Sequence, residues 1–338
     1  MVEIAELDQL NRRIVMALQL NGRASWKQIA QALEVAESTV TRRGQHLLAS
    51  RTVAVTGVLD HLRCGLGISV YMRFRTRPGR SLAVAQSVAS LSTPRFVTVI
   101  TGSFDVAAEV VVKSHRDLTT VIGQLESIGD VLESESMVVI RKFTAFEEWN
   151  PGGFAGRATD VLRNSGTVTD YAHRDWVEPE RLTEQEFAIA KLLAEDGRST
   201  YATIATRAGV SESTAARRVE SLVKRGCLRF RTVFEASVIG LDVEFLLWLT
   251  VKPAHLEEVG EKLGKHPSTR YVSAATGRYN MILQGVLPSY GDLYPYTTHV
   301  IGELPGVVSA DLTLQVQTLK RAWVPIDADG RPSKKETE

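Results

Sequence analysis

Two arginine pairs carry the clearest chemistry in this chain, Arg42-Arg43 and Arg217-Arg218, each preceded by hydroxyl residues. At 100° per residue, a helix that packs Val40, Gly44 and Leu47 leaves Ser38, Thr39, Arg42, Arg43 and His46 on its open side. A second helix that packs Ala215, Val219 and Leu222 leaves Ser213, Thr214, Arg217, Arg218 and Ser221 open, and Arg225 follows at its end. A helix of this kind fits the major groove of double-stranded DNA, where arginine forks onto guanine O6 and N7 and serine or threonine reaches bases or phosphates. An isolated arginine pair on a surface helix is usually just solvated. Its recurrence at the same place in two helix-turn-helix patterns favours DNA contact.

The overall charge confines that contact. The chain has 338 residues, 40 of them basic and 39 acidic, for a formal charge of +1, so it does not bind polyanions through bulk charge. The basic residues are concentrated locally. Between Ser211 and Arg231 stand Arg217, Arg218, Lys224, Arg225, Arg229 and Arg231 against Glu212 and Glu220, and between Ser38 and Arg51 three arginines face no acid.

The elements that hold these residues occur twice. Residues 7–60 align without a gap onto 182–235, a shift of 175, with identities at Gly22/Gly197, Arg23/Arg198, Ile29/Ile204, Ser38/Ser213, Arg42/Arg217, Arg43/Arg218 and Leu47/Leu222. The shift continues through Gly65/Gly240, Pro78/Pro253 and Gly102/Gly277, and one inserted residue then sets Val131 opposite Val307. A unit of about 140 residues is domain-sized, far longer than a solenoid repeat, and indicates duplication of a complete two-part protein.

Each copy opens with three short helices, at 7–20, 25–33 and 37–49 in the first and 182–195, 200–208 and 211–224 in the second, the last two separated by a tight turn. Gly209 suits that turn and Ser211 can cap the helix after it. A strand follows (52–59, 227–234), then a βαββαβ pattern: strand 67–74, helix 82–91, strands 95–101 and 105–113, helix 115–127, strand 131–140. The second copy repeats it with strand 243–251, helix 254–265, strands 270–276 and 279–287, helix 289–303 and strand 307–319. The fold class is α+β, a tandem repeat of a winged, three-helix helix-turn-helix domain and a ferredoxin-like domain with one sheet face needing a cover. With two copies in one chain, each can cover the other.

The expected domains are 1–60 and 182–235 for the helix-turn-helix units, and 61–143 and 236–324 for the ferredoxin-like units. The connector 144–181 has too many aromatics (Trp149, Phe154, Tyr171, Trp176) for a floppy linker and should pack across the copies, whereas the tail 325–338 should be disordered. No apolar run approaches the ~18 residues of a membrane span and the N-terminus lacks a secretory pattern, so a cytoplasmic location is expected. Cys64 and Cys227 then read as reduced packing residues, and the seven scattered histidines show no metal pattern. No phosphate loop, nucleophile elbow or dinucleotide fingerprint appears, and neither an enzyme nor a cofactor is expected.

Leu7, Asp8 and Ile14, the turn Asn21-Gly22-Arg23, Ile29-Ala30 and the run Val35, Ser38, Thr39, Val40, Arg42, Arg43 together resemble the Lrp/AsnC (feast/famine) family of transcriptional regulators. Leu182, Asp196-Gly197-Arg198, Ile204-Ala205, Gly209-Val210-Ser211, Arg217-Arg218-Val219, Leu222 and Gly226 match more fully in the second copy. The resemblance implies sheet-mediated pairing, homo-oligomers, and a small-molecule effector, such as an amino acid, held near the loop before the third strand. The corresponding loops are Thr101, Gly102, Ser103, Phe104, Asp105 and Thr276, Gly277, Arg278, Tyr279, Asn280. Their glycines allow close approach to a ligand's carboxylate or ammonium, and Asp105 or Asn280 could take the ammonium; alternatively, these are ordinary turn residues. The first copy departs from the pattern at Ala36, where a capping serine is expected, at Gly44 within its recognition helix, and at Ser50-Arg51 in place of Arg225-Gly226. Two other readings use the same fold: a siroheme-decarboxylase-like enzyme, although residues 95–110 and 270–285 contain no histidine, and a sensing module with vestigial DNA-binding units.

Overall fold

The computed structural model describes residues 7–152, 154, 156–163 and 178–333. Contacts group the chain by layer rather than by copy. Both three-helix segments fall in one unit, within the chain through Leu66 and Asn150–Ile239; both α/β segments, Gly67–Trp149 and Gly240–Gly330, fall in the other.

In the first unit the helices are α1 (Gln9–Leu20), α2 (Trp26–Leu33) and α3 (Glu37–Ala49), and β1 (Ala54–Leu59) follows. Asp8 caps α1 and Ser25 forms a capping box with Gln28 on α2. The connector contributes α6 (Arg157–Arg163), which packs on α1 and α2, and the Leu162 carbonyl accepts from Asn21 Nδ2 at 2.9 Å. The second copy supplies α7 (Glu184–Glu195), α8 (Tyr201–Ala208), α9 (Glu212–Lys224) and β6 (Leu228–Val233). β1 and β6 pair antiparallel, Ala54 opposite Val233, so the two helix-turn-helix segments share a two-stranded ribbon.

In the second unit the first copy runs β2 (Ile68–Thr76), α4 (Ser81–Ser90), β3 (Pro94–Ile100), β4 (Val106–Val112), α5 (His115–Glu126), β5 (Val131–Thr144). The second runs β7 (Val243–Val251), α10 (Leu256–Gly264), β8 (Thr269–Ala275), β9 (Met281–Leu287), a broken helical stretch, and β10 (Val307–Arg321). Within each copy the strands lie in the order second-third-first-fourth, β3-β4-β2-β5 and β8-β9-β7-β10. The copies join at both edges, β5 against β8 and β10 against β3, which closes eight strands into a ring. Its interior is a shared core of Tyr71, Phe96, Met137, Leu246, Trp248, Tyr271 and Ile282, while each copy's helices cover a separate outer core.

Two expectations need correction. The helix expected over 289–303 is instead a 3-10 turn, a short α segment ending at Pro295 and a π turn over Tyr296–Ile301. A π turn holds one residue more than an α turn, which is how the fold absorbs the single residue inserted in the second copy. Residues 325–333 of the expected disordered tail are placed: Ala322 and Trp323 both take positive φ in a two-residue hairpin turn, β11 (Val324–Pro325) returns along β10, and Ile326 is buried. Residues 334–338 lie outside the described residues. Where it is described, the connector touches both copies: Trp149 is buried on the second copy, its Nε1 donating to the Pro267 carbonyl at 2.8 Å, and α6, with buried Leu162, packs on the first copy's α1 and α2. Tyr171 and Trp176 lie outside the described residues.

Candidate DNA-binding surface and effector loops

The structure separates the two members of each arginine pair. Arg42 and Arg217 are exposed, and neither has an ion pair among the described residues. Arg43 is half-buried and forms an ion pair with Asp8, the cap of α1, while its Nη1 also donates to Asn11 Oδ1 at 3.2 Å. That guanidinium, with the Asn11 backbone N–H, holds the Asp8 carboxyl below its usual pKa. In the second copy Arg218 Nη1 reaches Thr183 Oγ1, the cap of α7, at 3.4 Å. The second arginine of each pair therefore braces its recognition helix against the start of its own domain's first helix.

The other expected contact residues divide the same way. Ser38, His46 and Ser213 are exposed; Thr39, Thr214 and Ser221 are half-exposed. Arg225 is committed within the fold, to Glu180 at 3.1 Å and to Glu186. Burial works against ionisation of Glu186, but hydrogen bonds from Thr183 and the charges of Arg225 and Arg218 outweigh it and keep its pKa below the usual value.

The first copy's reading head is the more strained. Its turn places Glu34 at φ 57° and Arg51 at φ 55°, where the second copy has Gly209 at 66° and Gly226 at 73°. A side chain in the left-handed region costs roughly 1–2 kcal/mol. Ala36 makes no side-chain cap, whereas Ser211 Oγ accepts from the Thr214 N–H at 3.2 Å. Gly44, an apparent flaw in α3, leaves room for an indole: a Cβ there would lie 2.3 Å from the Trp26 ring.

A bracket joins the two helix-turn-helix segments, and no local pattern announces it. Arg23 donates to the carbonyls of Gly197 at 2.7 Å and Ser199 at 3.2 Å, and Arg198 donates to those of Gly22 at 2.5 Å and Ala24 at 3.0 Å. Arg198 lies over the Trp26 ring at 4.4 Å and Arg23 over Tyr201 at 5.1 Å. These four residues are equivalents under the repeat, so the bracket has twofold pseudosymmetry. Burial and the facing Arg23 push Arg198 down to about 10. Equivalent arginines after the first helices were visible in the sequence, but nothing there said that each would be spent on the other copy's loop.

The loops expected to hold an effector sit where one copy's strand ends meet the other copy's edge. Thr101 exchanges hydrogen bonds with the Leu314 backbone, and Thr276 does so with Val138. Gly102 and Gly277 take φ of 101° and 97°, as these turns require. Asp105 accepts from the Thr76 N–H at 2.7 Å, and Asn280 both accepts from the Val251 N–H at 2.8 Å and donates to its carbonyl at 2.7 Å. Both side chains are thus occupied within their turns. Thr101, Gly102, Ser103, Thr276, Gly277 and Arg278 are exposed, while Phe104 and Tyr279 turn inward.

Between Phe104 and Tyr279 lies Arg73, 2% exposed, its guanidinium 4.4 and 4.8 Å from those rings and 4.6 Å from Trp248, its own equivalent in the second copy. It donates at 3.1 Å to each of Glu135 and Asp311, themselves equivalents. Deeper in the ring Arg95 pairs with Glu109 at 2.7 Å, and Glu244 takes Arg321 at 2.7 Å and Arg270 at 3.2 Å. Glu109 also accepts from Ser69. The acid has changed strands between the copies: Ser69 and Glu109 in the first correspond to Glu244 and Gln284 in the second. The clue in the sequence was a charge inside an otherwise apolar strand, as at Glu109 after Ala107 and Ala108.

Comparison with known proteins follows the repeat. The AsnC-type helix-turn-helix domain profile matches residues 7–48 and 182–223, and that of the Lrp/AsnC ligand binding domain matches 69–147 and 244–323. An uncharacterised HTH-type transcriptional regulator of Pyrococcus horikoshii is 29% identical over 140 residues, 41% of this chain and 89% of that protein. The transcriptional regulator AzlB of Bacillus subtilis is 27% identical over 154 residues, 43% of this chain and 96% of its own. Each spans the length of one copy. Among solved structures, the siroheme decarboxylase NirDL aligns over 92% of both chains with a TM-score of 0.60 at 15% identity, a likeness of fold. Two AsnC-type helix-turn-helix domains and two Lrp/AsnC ligand-binding domains thus occupy most of the sequence, and the chain belongs to the Lrp/AsnC family of transcriptional regulators.

Proposed function

We propose that this regulator reads an asymmetric DNA site through α3 and α9, with Arg42 and Arg217 as the base-reading arginines and Ser38, Thr39, His46, Ser213, Thr214 and Ser221 around them. The observation that carries the reading is the exposure of one arginine at the same place on each recognition helix. Arg43, Arg218 and Arg225 act behind that surface, positioning it. The domain limits that go with this reading are 1–60, 61–143, 182–235 and 236–324, the α/β pair being ferredoxin-like, as their second-third-first-fourth strand order supports.

A small effector, such as an amino acid, is taken at the exposed parts of the loops, Thr101-Gly102-Ser103 and Thr276-Gly277-Arg278. Because both loops brace against the other copy's last strand, a ligand there biases how the copies meet, and by linkage the affinity for DNA. The protein works in the cytoplasm, consistent with no helix among the described residues being long and apolar enough to cross a membrane. Oligomers beyond the single chain follow from the family.

The test is binding of a promoter fragment from the protein's own gene, followed across salt concentrations, for Arg42→Ala and Arg217→Ala. Unchanged affinity and salt slope in both variants would remove the assignment. A thermal-shift series with single amino acids tests the effector, since a ligand that binds the folded state must raise Tm. The full-length likeness to NirDL supports one alternative, catalysis on a tetrapyrrole. It rests on fold alone, and incubation with siroheme followed by mass analysis decides it.

A further inference from the structure

The only two cysteines of the sequence come from different copies and from positions that are not equivalent under the repeat, yet the fold sets them side by side. Cys64 lies in the turn after β1 and Cys227 at the stop of α9. The Asp60 N–H donates to the Cys227 carbonyl at 2.9 Å and the Cys64 N–H to the Asp60 carbonyl at 2.9 Å, which fixes one segment on the other. The Cys64 thiol donates toward the Cys227 carbonyl at 3.5 Å, which brings the two thiols within influence of each other. Both thiols are free and buried.

Their surroundings suit oxidation. Cys64 lines an open cavity of about 440 Å³ with Leu66, Arg181, Leu182, Glu184 and Phe187, the side from which a small oxidant would approach it. Cys227 lies behind it, its sulfur 3.8 Å from Glu180, a carboxylate that Arg225 and Arg63 also hold. The hydrogen bond from Cys64 outweighs burial and lowers the Cys227 thiol, while the same bond and burial raise that of Cys64. Of the two thiols, Cys227 is thus the readier to ionise.

We propose that Cys64 and Cys227 form an oxidisable dithiol site whose oxidant is a small hydroperoxide. The Cys64 sulfur, its proton passed to the neighbouring sulfur or to Glu180, attacks the peroxide: an S–O bond forms, the O–O bond breaks, and the alcohol, or water from hydrogen peroxide, departs with a proton. The Cys227 thiolate then attacks the Cys64 sulfenic acid; the S–S bond forms, the S–O bond breaks and water leaves. The two thiols lose two electrons and the peroxide gains them. The product ties the turn after the first copy's β1 to the stop of the second copy's recognition helix.

The experiment treats the native chain with hydrogen peroxide, quenches it, and counts thiols in denaturant beside intact mass and a non-reducing gel. The expected result is loss of both thiols, a mass lower by two hydrogens, a monomeric band, and recovery with dithiothreitol. Cys227→Ser should trap oxygen on Cys64, and Cys64→Ser should leave the enclosed Cys227 unreactive under the same treatment. Retention of both thiols in the native chain, intermolecular dimers, or oxygen addition without loss of two hydrogens overturns the proposal. Because no DNA enters the assay, its failure leaves the recognition-helix reading standing.

Discussion

Replacing Arg42 and Arg43 one at a time separates two roles that the sequence leaves merged. Arg42 is exposed and holds nothing in the fold, so Arg42→Ala should change folding stability by no more than about 0.5 kcal/mol. If it forks onto a guanine, its loss should cost about 1–3 kcal/mol of specific binding, roughly 5- to 150-fold in Kd. If it meets a phosphate, the slope of log K against log salt should instead fall by about one. Arg43 pairs with the cap of α1. The pair is partly solvated, which limits Arg43→Ala to about 1 kcal/mol of stability, and any loss of binding should come through a loosened α3. Asp8→Ala removes the other half of the brace and must reproduce it, the double variant showing less than additive cost. Urea unfolding and fluorescence anisotropy with a labelled site at several salt concentrations measure both quantities. If Arg43→Ala lowers specific affinity as much as Arg42→Ala while Asp8→Ala leaves binding intact, Arg43 reads DNA itself and the brace is incidental.

Four further outcomes follow from the geometry. Ala36→Ser supplies the cap that α3 lacks and should stabilise the protein by about 1 kcal/mol in denaturant unfolding. Gly44→Ala should destabilise it by about 1–3 kcal/mol despite alanine's better helix propensity, because the new methyl meets the Trp26 ring; a gain in a thermal melt would show that the indole moves aside at little cost. Asn280→Asp loses the donor to the Val251 carbonyl and should lower Tm, while Asp105→Asn, which keeps an acceptor for the Thr76 N–H, should move it less. Asp8 has a lowered folded pKa, so its contribution is complete above the unfolded value near 3.8 and is lost as pH falls through the folded one; Arg43→Ala should therefore lower stability near neutrality and flatten the acid limb of a stability-against-pH curve.

Much of this architecture can be read in the sequence because the duplication says the same thing twice. The recognition helices at Glu37–Ala49 and Glu212–Lys224 show their packed stripes directly, and the short apolar run at Val106–Val112 marks a strand. What stays hidden depends on which copy a side chain meets. The reach of Arg23 and Arg198 to each other's loops, the closing of the sheet by β5 on β8, and the meeting of Cys64 with Cys227 are contacts across about 140 to 180 residues. No local period encodes them. The arginine pairs illustrate the limit from the other side: residue type and helical face place all four outward, and only the position of Asp8 and Thr183 shows that two of them are engaged.

The interior of the eight-stranded ring records what became of the two halves after they were joined. Arg73 faces Trp248, its own counterpart, and the carboxylates Glu135 and Asp311 come one from each half to serve that single cation. Two first halves brought together in the same manner would set one guanidinium against another, and two second halves would leave their carboxylates with no cation to share. The halves have ceased to be self-compatible. At this site each half is fitted to the other rather than to a copy of itself, and covalent linkage holds the two unlike halves in one chain.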